Sequence, residues 1–316
     1  MSVRLWTSDA WREQAVAWID RRLAGAGAIR VGEVEQTRVR PWATVLRAPT
    51  TDGDVWMKAG GAATAFEAGL YELLAREAPE HVLTPLAVDA PRGWLLLPDG
   101  GPSLRDRLGG DAPAEAMARA LAQYGRLQLA LAPHAARLPA LGVPDMRPEL
   151  TVERFEEALE AARATAPSAP AAAARLARAK GLRADVARWG ERLAASPVPA
   201  SLDHNDLHHD NVLGTGPYRF YDWGDAVVAH AFAVLYVPSQ VLSRAAFERA
   251  RDAYLAAFAE LAPPARLAEE VDLALRLARI ARTLTWERAL RSTRPGDPVD
   301  PGLAYAPFEE LSALPT

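Results

Sequence analysis

The chain changes texture once, at Asp99-Gly100-Gly101-Pro102, and that break limits the folds open to it. Before it lie short apolar runs bounded by turn residues, the pattern of strands. After it, from Ser103 onward, Ala, Leu, Arg and Glu recur at helical spacing. At 316 residues the chain is long enough for two lobes, each with its own core. The expected fold is therefore α+β and bilobal: a small N-terminal antiparallel sheet lobe over 1–98, a hinge at 99–102, and a larger, mainly helical C-terminal lobe over 103–316. A ligand is expected in the cleft between such lobes.

Within the first lobe, Trp11 to Leu23 has a helical pattern, which Gly25 and Gly27 stop. Strands are predicted over Glu33–Arg40, Ala43–Ala48 and Val55–Lys58, with Thr51-Asp52-Gly53-Asp54 as the hairpin turn of the second pair. A helix over Phe66–Arg76 and a strand pair around Leu86–Ala90 and Gly93–Leu97 complete it. Helices are predicted beyond the hinge over Pro113–Leu131, Val152–Ala164, Ala171–Leu193, Ala245–Leu261 and Leu273–Leu290.

Composition excludes several classes. A formal net charge of -4 gives no basic field for nucleic acid or an anionic membrane. The mild acidity is compatible with a cationic substrate. No cysteine is present, which removes disulfides and thiolate metal sites and fits a reducing compartment. The first twenty residues lack the apolar core of a signal peptide, and the longest apolar run, Ala226–Pro238, is too short to span a bilayer. A soluble, cytoplasmic protein is expected.

Two features point to chemistry. Of 36 basic residues only Lys58 and Lys180 are lysine, and Lys58 sits inside an apolar strand. A slim ammonium reaches a phosphate where a guanidinium fork would not fit. The densest polar segment, 201–211, reads Ser-Leu-Asp-His-Asn-Asp-Leu-His-His-Asp-Asn. It is followed by Val212-Leu213, a turn at 214–217, a strand over Tyr218–Tyr221 and then Asp222-Trp223-Gly224-Asp225. That hairpin is expected to bring Asn211 and Asp222 together. Magnesium takes hard oxygen ligands and keeps several waters, so one amide oxygen and one carboxylate, with nucleotide phosphates, make a sufficient site. Asp206, five positions before Asn211, suits a group that orients an acceptor hydroxyl or takes its proton.

His204-x-Asp206-Leu207-x-x-x-Asn211, followed by Asp222-Trp223-Gly224, resembles the catalytic loop and metal-binding triplet of the protein-kinase-like superfamily. With Trp before the glycine, it looks more like aminoglycoside phosphotransferases and choline kinases than protein kinases. The resemblance implies Asp206 as catalytic base, Asn211 and Asp222 as Mg2+ ligands, and ATP or GTP as phosphate donor. It also implies that Lys58 contacts the nucleotide phosphates and pairs with an acid on the next helix, Glu67 before Glu72. Trp94 to Asp99, with Leu97 and Asp99, would hold the adenine by backbone hydrogen bonds. His204, His208 and Asp225 are supporting candidates. The implied partner is a small hydroxyl acceptor, of aminoglycoside, amino-sugar, choline or amino-alcohol type.

This sequence departs from the family pattern in three places. Asn205 stands where these transferases usually have Gly, His209-Asp210 replaces the common Pro-Gly, and Arg40-Pro41-Trp42 offers no glycine run over the phosphates. Other readings of the same residues are a kinase-like protein modifier, a catalytically silent nucleotide-binding module, and a zinc hydrolase built on His204, His208, His209 and Asp222.

Overall fold

The computed structural model describes residues 3–108, 114–297 and 300–315; Pro113, the expected start of one helix, lies outside them. The chain forms two compact units, the first comprising residues up to Gly101 together with Arg219–Gly224 and Arg288–Asp300. The second comprises Pro102–Tyr218, Asp225–Glu287 and the segment from Pro301 onward. Residues 219–224 therefore leave the helical lobe in which a simple cut at the hinge would place them. The reason is local: Trp223 N–H donates to Glu67 and Phe220 stacks on His81.

The first unit is built on a five-stranded antiparallel sheet, β1 (Glu35–Val39), β2 (Ala43–Thr50), β3 (Gly53–Gly60), β4 (Ala87–Asp89) and β5 (Trp94–Pro98), in the order β1-β2-β3-β5-β4. Alternation along β3 sends Val55, Met57 and Ala59 to one face and Trp56 and Lys58 to the other. The first face packs against the Asp9–Gly25 helix, where Trp11 and Trp18 meet Trp94 edge to face at 6.1 and 5.5 Å. Ser8 caps that helix, its hydroxyl accepting from Trp11 N–H. The Phe66–Glu77 helix follows β3 and carries Glu67 in its first turn.

The second unit is helical around a two-stranded ladder, Ala200–Asp203 paired antiparallel with Val227–His230. The Ala114–Leu131 helix holds the first of these strands through buried polar groups. Gln128 donates both amide hydrogens, to the Leu202 and Ala231 carbonyls, and accepts from the Tyr254 hydroxyl. Tyr124 also donates to Leu202 O. This network leaves the amide fully satisfied, the condition under which a buried polar group is tolerated.

Three helices differ from expectation. Ala171–Leu193 is two helices, Pro170–Gly181 and Arg183–Ala194, because the backbone leaves the helix at Leu182 after Gly181. Leu182 is buried there against Phe155 and Val186. The Arg244–Leu255 helix ends in a 3-10 turn over Ala256–Phe258. The last long helix starts earlier than the apolar pattern shows, at Pro264, and runs to Arg291. A proline at a helix start gives up an N–H that would be unpaired anyway. No helix among the described residues is long and apolar enough to cross a membrane.

His230 closes its strand fully buried, its Nδ1 accepting from Phe232 N–H at 3.3 Å. Burial pushes its pKa down from 6.5 to about 3. An unfolded chain therefore binds a proton between those values that the native one refuses, and stability falls as pH drops through that window. His230→Asn keeps an acceptor but cannot titrate. Unfolding free energies from urea titrations between pH 7 and 4 should fall more steeply for the wild type, by up to ~1.4 kcal/mol per pH unit.

Candidate active site

In the first unit, Lys58 lies opposite Val45 and Leu95 in the sheet and reaches two carboxylates. Its Nζ is 2.6 Å from Glu67 Oε2 and also bonds Asp222 Oδ1. Glu72 is exposed, so Glu67 is the acid that pairs with Lys58. The other Glu67 oxygen accepts from Trp223 N–H at 2.9 Å, which ties the helix to the Asp222-Trp223-Gly224 turn. The Lys58 and Glu67 side chains are only 18% and 5% exposed, whereas Asp222 is 35% exposed. Burial alone would push the Lys58 ammonium down, and the charges of Asp222 and Glu67 more than reverse it.

The turn is shaped for this triad. Asp222 takes φ of 64°, a left-handed value uncommon outside glycine. A side chain at Gly224 would put its Cβ 3.3 Å from Glu67 Oε2 and 3.5 Å from Lys58 Nζ. The turn between β1 and β2, which has no glycine run, is pinned from below. Trp42 O accepts from Gly61 N–H at 2.6 Å and from the Thr64 hydroxyl at 2.9 Å.

Along β5, Asp99 N–H is spent on Asp54 O of β3, and Leu97, two residues back, turns its backbone groups the same way. Leu96, of opposite orientation, gives its carbonyl to Leu86 N–H on the β4 side.

In the second unit the strand Ala200–Asp203 runs into the polar loop. Asn205 takes φ of 57°, which asparagine tolerates better than most residues, so it can stand where relatives use glycine. Its Nδ2 donates to Asp225 O at 3.1 Å and Thr285 Oγ1 at 2.9 Å. Asp206 follows. Its Oδ2 lies 3.4 Å from both His208 Nε2 and Asn211 Nδ2. Asn211 Nδ2 also donates to Asp206 O at 2.9 Å, which directs the amide oxygen elsewhere. His208 Nδ1 accepts from Asp210 N–H, so Nε2 carries the proton that faces Asp206. Asp210, the departure from glycine, is held by Arg105. His204 is fully buried beneath the loop.

Two carboxyls three residues apart are driven in opposite directions. Burial pushes Asp203 up to about 7, against the Asn205 N–H bond and the Arg282 charge. Burial also acts on Asp206, but the His208 hydrogen bond and the charges of Arg282, His208 and His204 outweigh it and hold the group at about 2. Asp206 is thus the ionised member. Arg282 carries no motif and was not anticipated from the sequence. Its only signal is an arginine among the small buried residues Ala278, Ala281 and Thr285 of its helix.

Asn211 Oδ1 and the Asp222 carboxylate are hard oxygen donors, the chemistry that suits Mg2+. The zinc alternative does not survive: among the described residues no three His, Asp or Glu groups converge as metal ligands. His208 is turned onto Asp206 and Asp210, and His204 is buried.

Residues 59–269 match APH, the phosphotransferase enzyme family. The chain belongs to that family. Its fold is the bilobal, protein-kinase-like one shared by three solved structures. Macrolide 2'-phosphotransferase type I aligns at 17% identity and TM-score 0.63, over 97% of this chain and 98% of the other. An ethanolamine kinase from Plasmodium vivax aligns at 14% and 0.58, over 90% and 83%. The GDP complex of wild-type aminoglycoside 2'-phosphotransferase-IIIa aligns at 15% and 0.58, over 94% and 96%. No curated protein matches the chain. The protein is a phosphotransferase enzyme of the APH family.

The Lys58 triad predicts a non-additive cycle in this phosphotransferase. Lys58→Met leaves two carboxylates uncompensated and should cost roughly 3–5 kcal/mol in chemical denaturation. Adding Glu67→Gln should recover part of that loss, whereas independent sites would sum.

Proposed function

We propose that this phosphotransferase moves the γ-phosphate of ATP or GTP to a hydroxyl of a small molecule, with Asp206 facing the acceptor. The observation that carries this reading is an Asp206 carboxylate held by His208, Asn211 and Arg282 on a loop where Asn211 Nδ2 is turned to Asp206 O. A carboxylate at about 2 is a weak base. It orients the hydroxyl by accepting its hydrogen bond, and takes the proton only as the acceptor oxygen bonds to phosphorus and loses basicity. The bond from the γ-phosphorus to the β-γ bridging oxygen breaks as the new P–O bond forms, and the nucleoside diphosphate leaves.

Lys58, with Glu67 behind it, holds the nucleotide phosphates, and the strand end over Trp94–Asp99 meets the nucleobase. Asn211 and Asp222 are the proposed Mg2+ ligands. Bound there, the ion would neutralise charge on the phosphates during transfer. The relatives support a hydroxylated acceptor and a nucleotide donor: one is described as a macrolide phosphotransferase, one as an ethanolamine kinase, and one as a GDP complex. The reaction fits a cytoplasmic setting, where both nucleotides and magnesium are supplied.

The test is nucleoside diphosphate release with magnesium across macrolides, kanamycin and ethanolamine. Asp206→Ala should lower acceptor-dependent turnover ~10²–10⁴-fold while nucleotide affinity stays near wild type. Nucleotide binding without turnover on any hydroxylated compound would favour a silent binding module. Asp222→Ala should weaken magnesium-nucleotide binding itself, measured by titration calorimetry; unchanged affinity would refute the metal assignment.

A further inference from the structure

We propose that Arg282 is a positioning residue for phosphoryl transfer, fixing the loop residue before Asp206 and the plane of the Asp206 carboxylate. It can act this way only if Asp206 is the acceptor-facing base proposed above.

Arg282 is 8% exposed on the Pro264–Arg291 helix, and its guanidinium lies 5.0 Å over the Trp286 ring. Arg282 Nη1 donates to the carbonyl of Asn205, the residue immediately before Asp206. The same nitrogen is 3.6 Å from Asp206 Oδ1 and 3.5 Å from Asp225 Oδ2. At 3.6 Å the contact with Asp206 is attraction between charges, so the geometric grip runs through the Asn205 carbonyl. Thr285, three residues along the helix, receives the Asn205 side-chain amide. Asn205 is thus held at its carbonyl by Arg282 and at its side chain by Thr285. Its left-handed backbone, the conformation that aims Asp206, has two anchors on one helix.

The carboxylate is also bracketed. Oδ2 faces His208 and Asn211, and Oδ1 faces Arg282. Rotation about the last side-chain bond would move one oxygen away from partners on either side. The cation has a second task, because Asp206 and Asp225 address one nitrogen. Without it the two carboxylates lose the cation that they share. Lysine cannot replace it, since an ammonium lacks the planar fork that stacks on Trp286 while donating at its edge.

The experiment compares Arg282→Ala, Arg282→Lys, Asp206→Ala and wild type. Its readouts are diphosphate release from MgATP and MgGTP, with water and with the compound panel, nucleotide affinity by calorimetry, and thermal melting. Both Arg282 variants should lose about a hundredfold in turnover, the scale of a small misplacement, with nucleotide affinity within about threefold. Methylguanidinium should restore at least about tenfold of that loss in Arg282→Ala, and nothing in Asp206→Ala. Should Arg282→Ala not fold, Arg282→Lys, which keeps the charge and stem, carries the turnover and affinity readouts. Near-wild-type turnover in a folded Arg282 variant, beside an inactive Asp206→Ala, would overturn the role of Arg282 alone. So would activity lost only in proportion to folded protein, without rescue. An active Asp206→Ala would instead remove the base assignment and the role of Arg282 with it.

Discussion

A buried lysine between two carboxylates sets the terms for the first unit. Desolvating three charges is costly, and Lys58, Glu67 and Asp222 offset that cost only while all three are in contact. The neighbouring structure serves that condition. Trp223 N–H satisfies the second Glu67 oxygen, Gly224 leaves space beside it, and Thr64, whose methyl lies against Gly224, pins the β1–β2 turn. A triad with so little slack is a poor solvent-exposed ornament and a good fixed charge, which is what phosphoryl transfer asks of a protein.

The second unit solves a different problem, holding one carboxylate ionised in a nearly buried loop. The Gln128 network fixes the strand below, and the long C-terminal helix fixes the loop from the side through Thr285 and Arg282. Asp203 and Asp206 then separate in acidity although they are close in sequence, because one has burial with little compensation and the other has cations. Environment, not residue type, decides which aspartate stays charged at neutral pH.

How much of this was legible beforehand follows from which interactions are local. The hairpin at Thr51-Asp52 and the amphipathic Phe66 helix depend on near neighbours, and they are found within a few residues of where the pattern puts them. Glu67 could be preferred to Glu72 because it stands near the start of the helix that follows Lys58. The split at Leu182 was hidden, since an Ala- and Arg-rich run has helical propensity across the break and only burial of Leu182 decides it. Arg282 lies more than seventy residues from the loop it braces, and no spacing rule links them.

Charge placement around the loop also bears on the acceptor. Asp210 is taken by Arg105, Asp206 and Asp225 share Arg282, and Glu310, beside the same long helix, is taken by Arg279. An acid already neutralised within a few ångströms offers little to an incoming ammonium, which would have to displace its partner. The overall charge of -4 therefore gives weak support to an aminated substrate, because the acids nearest the loop are committed internally.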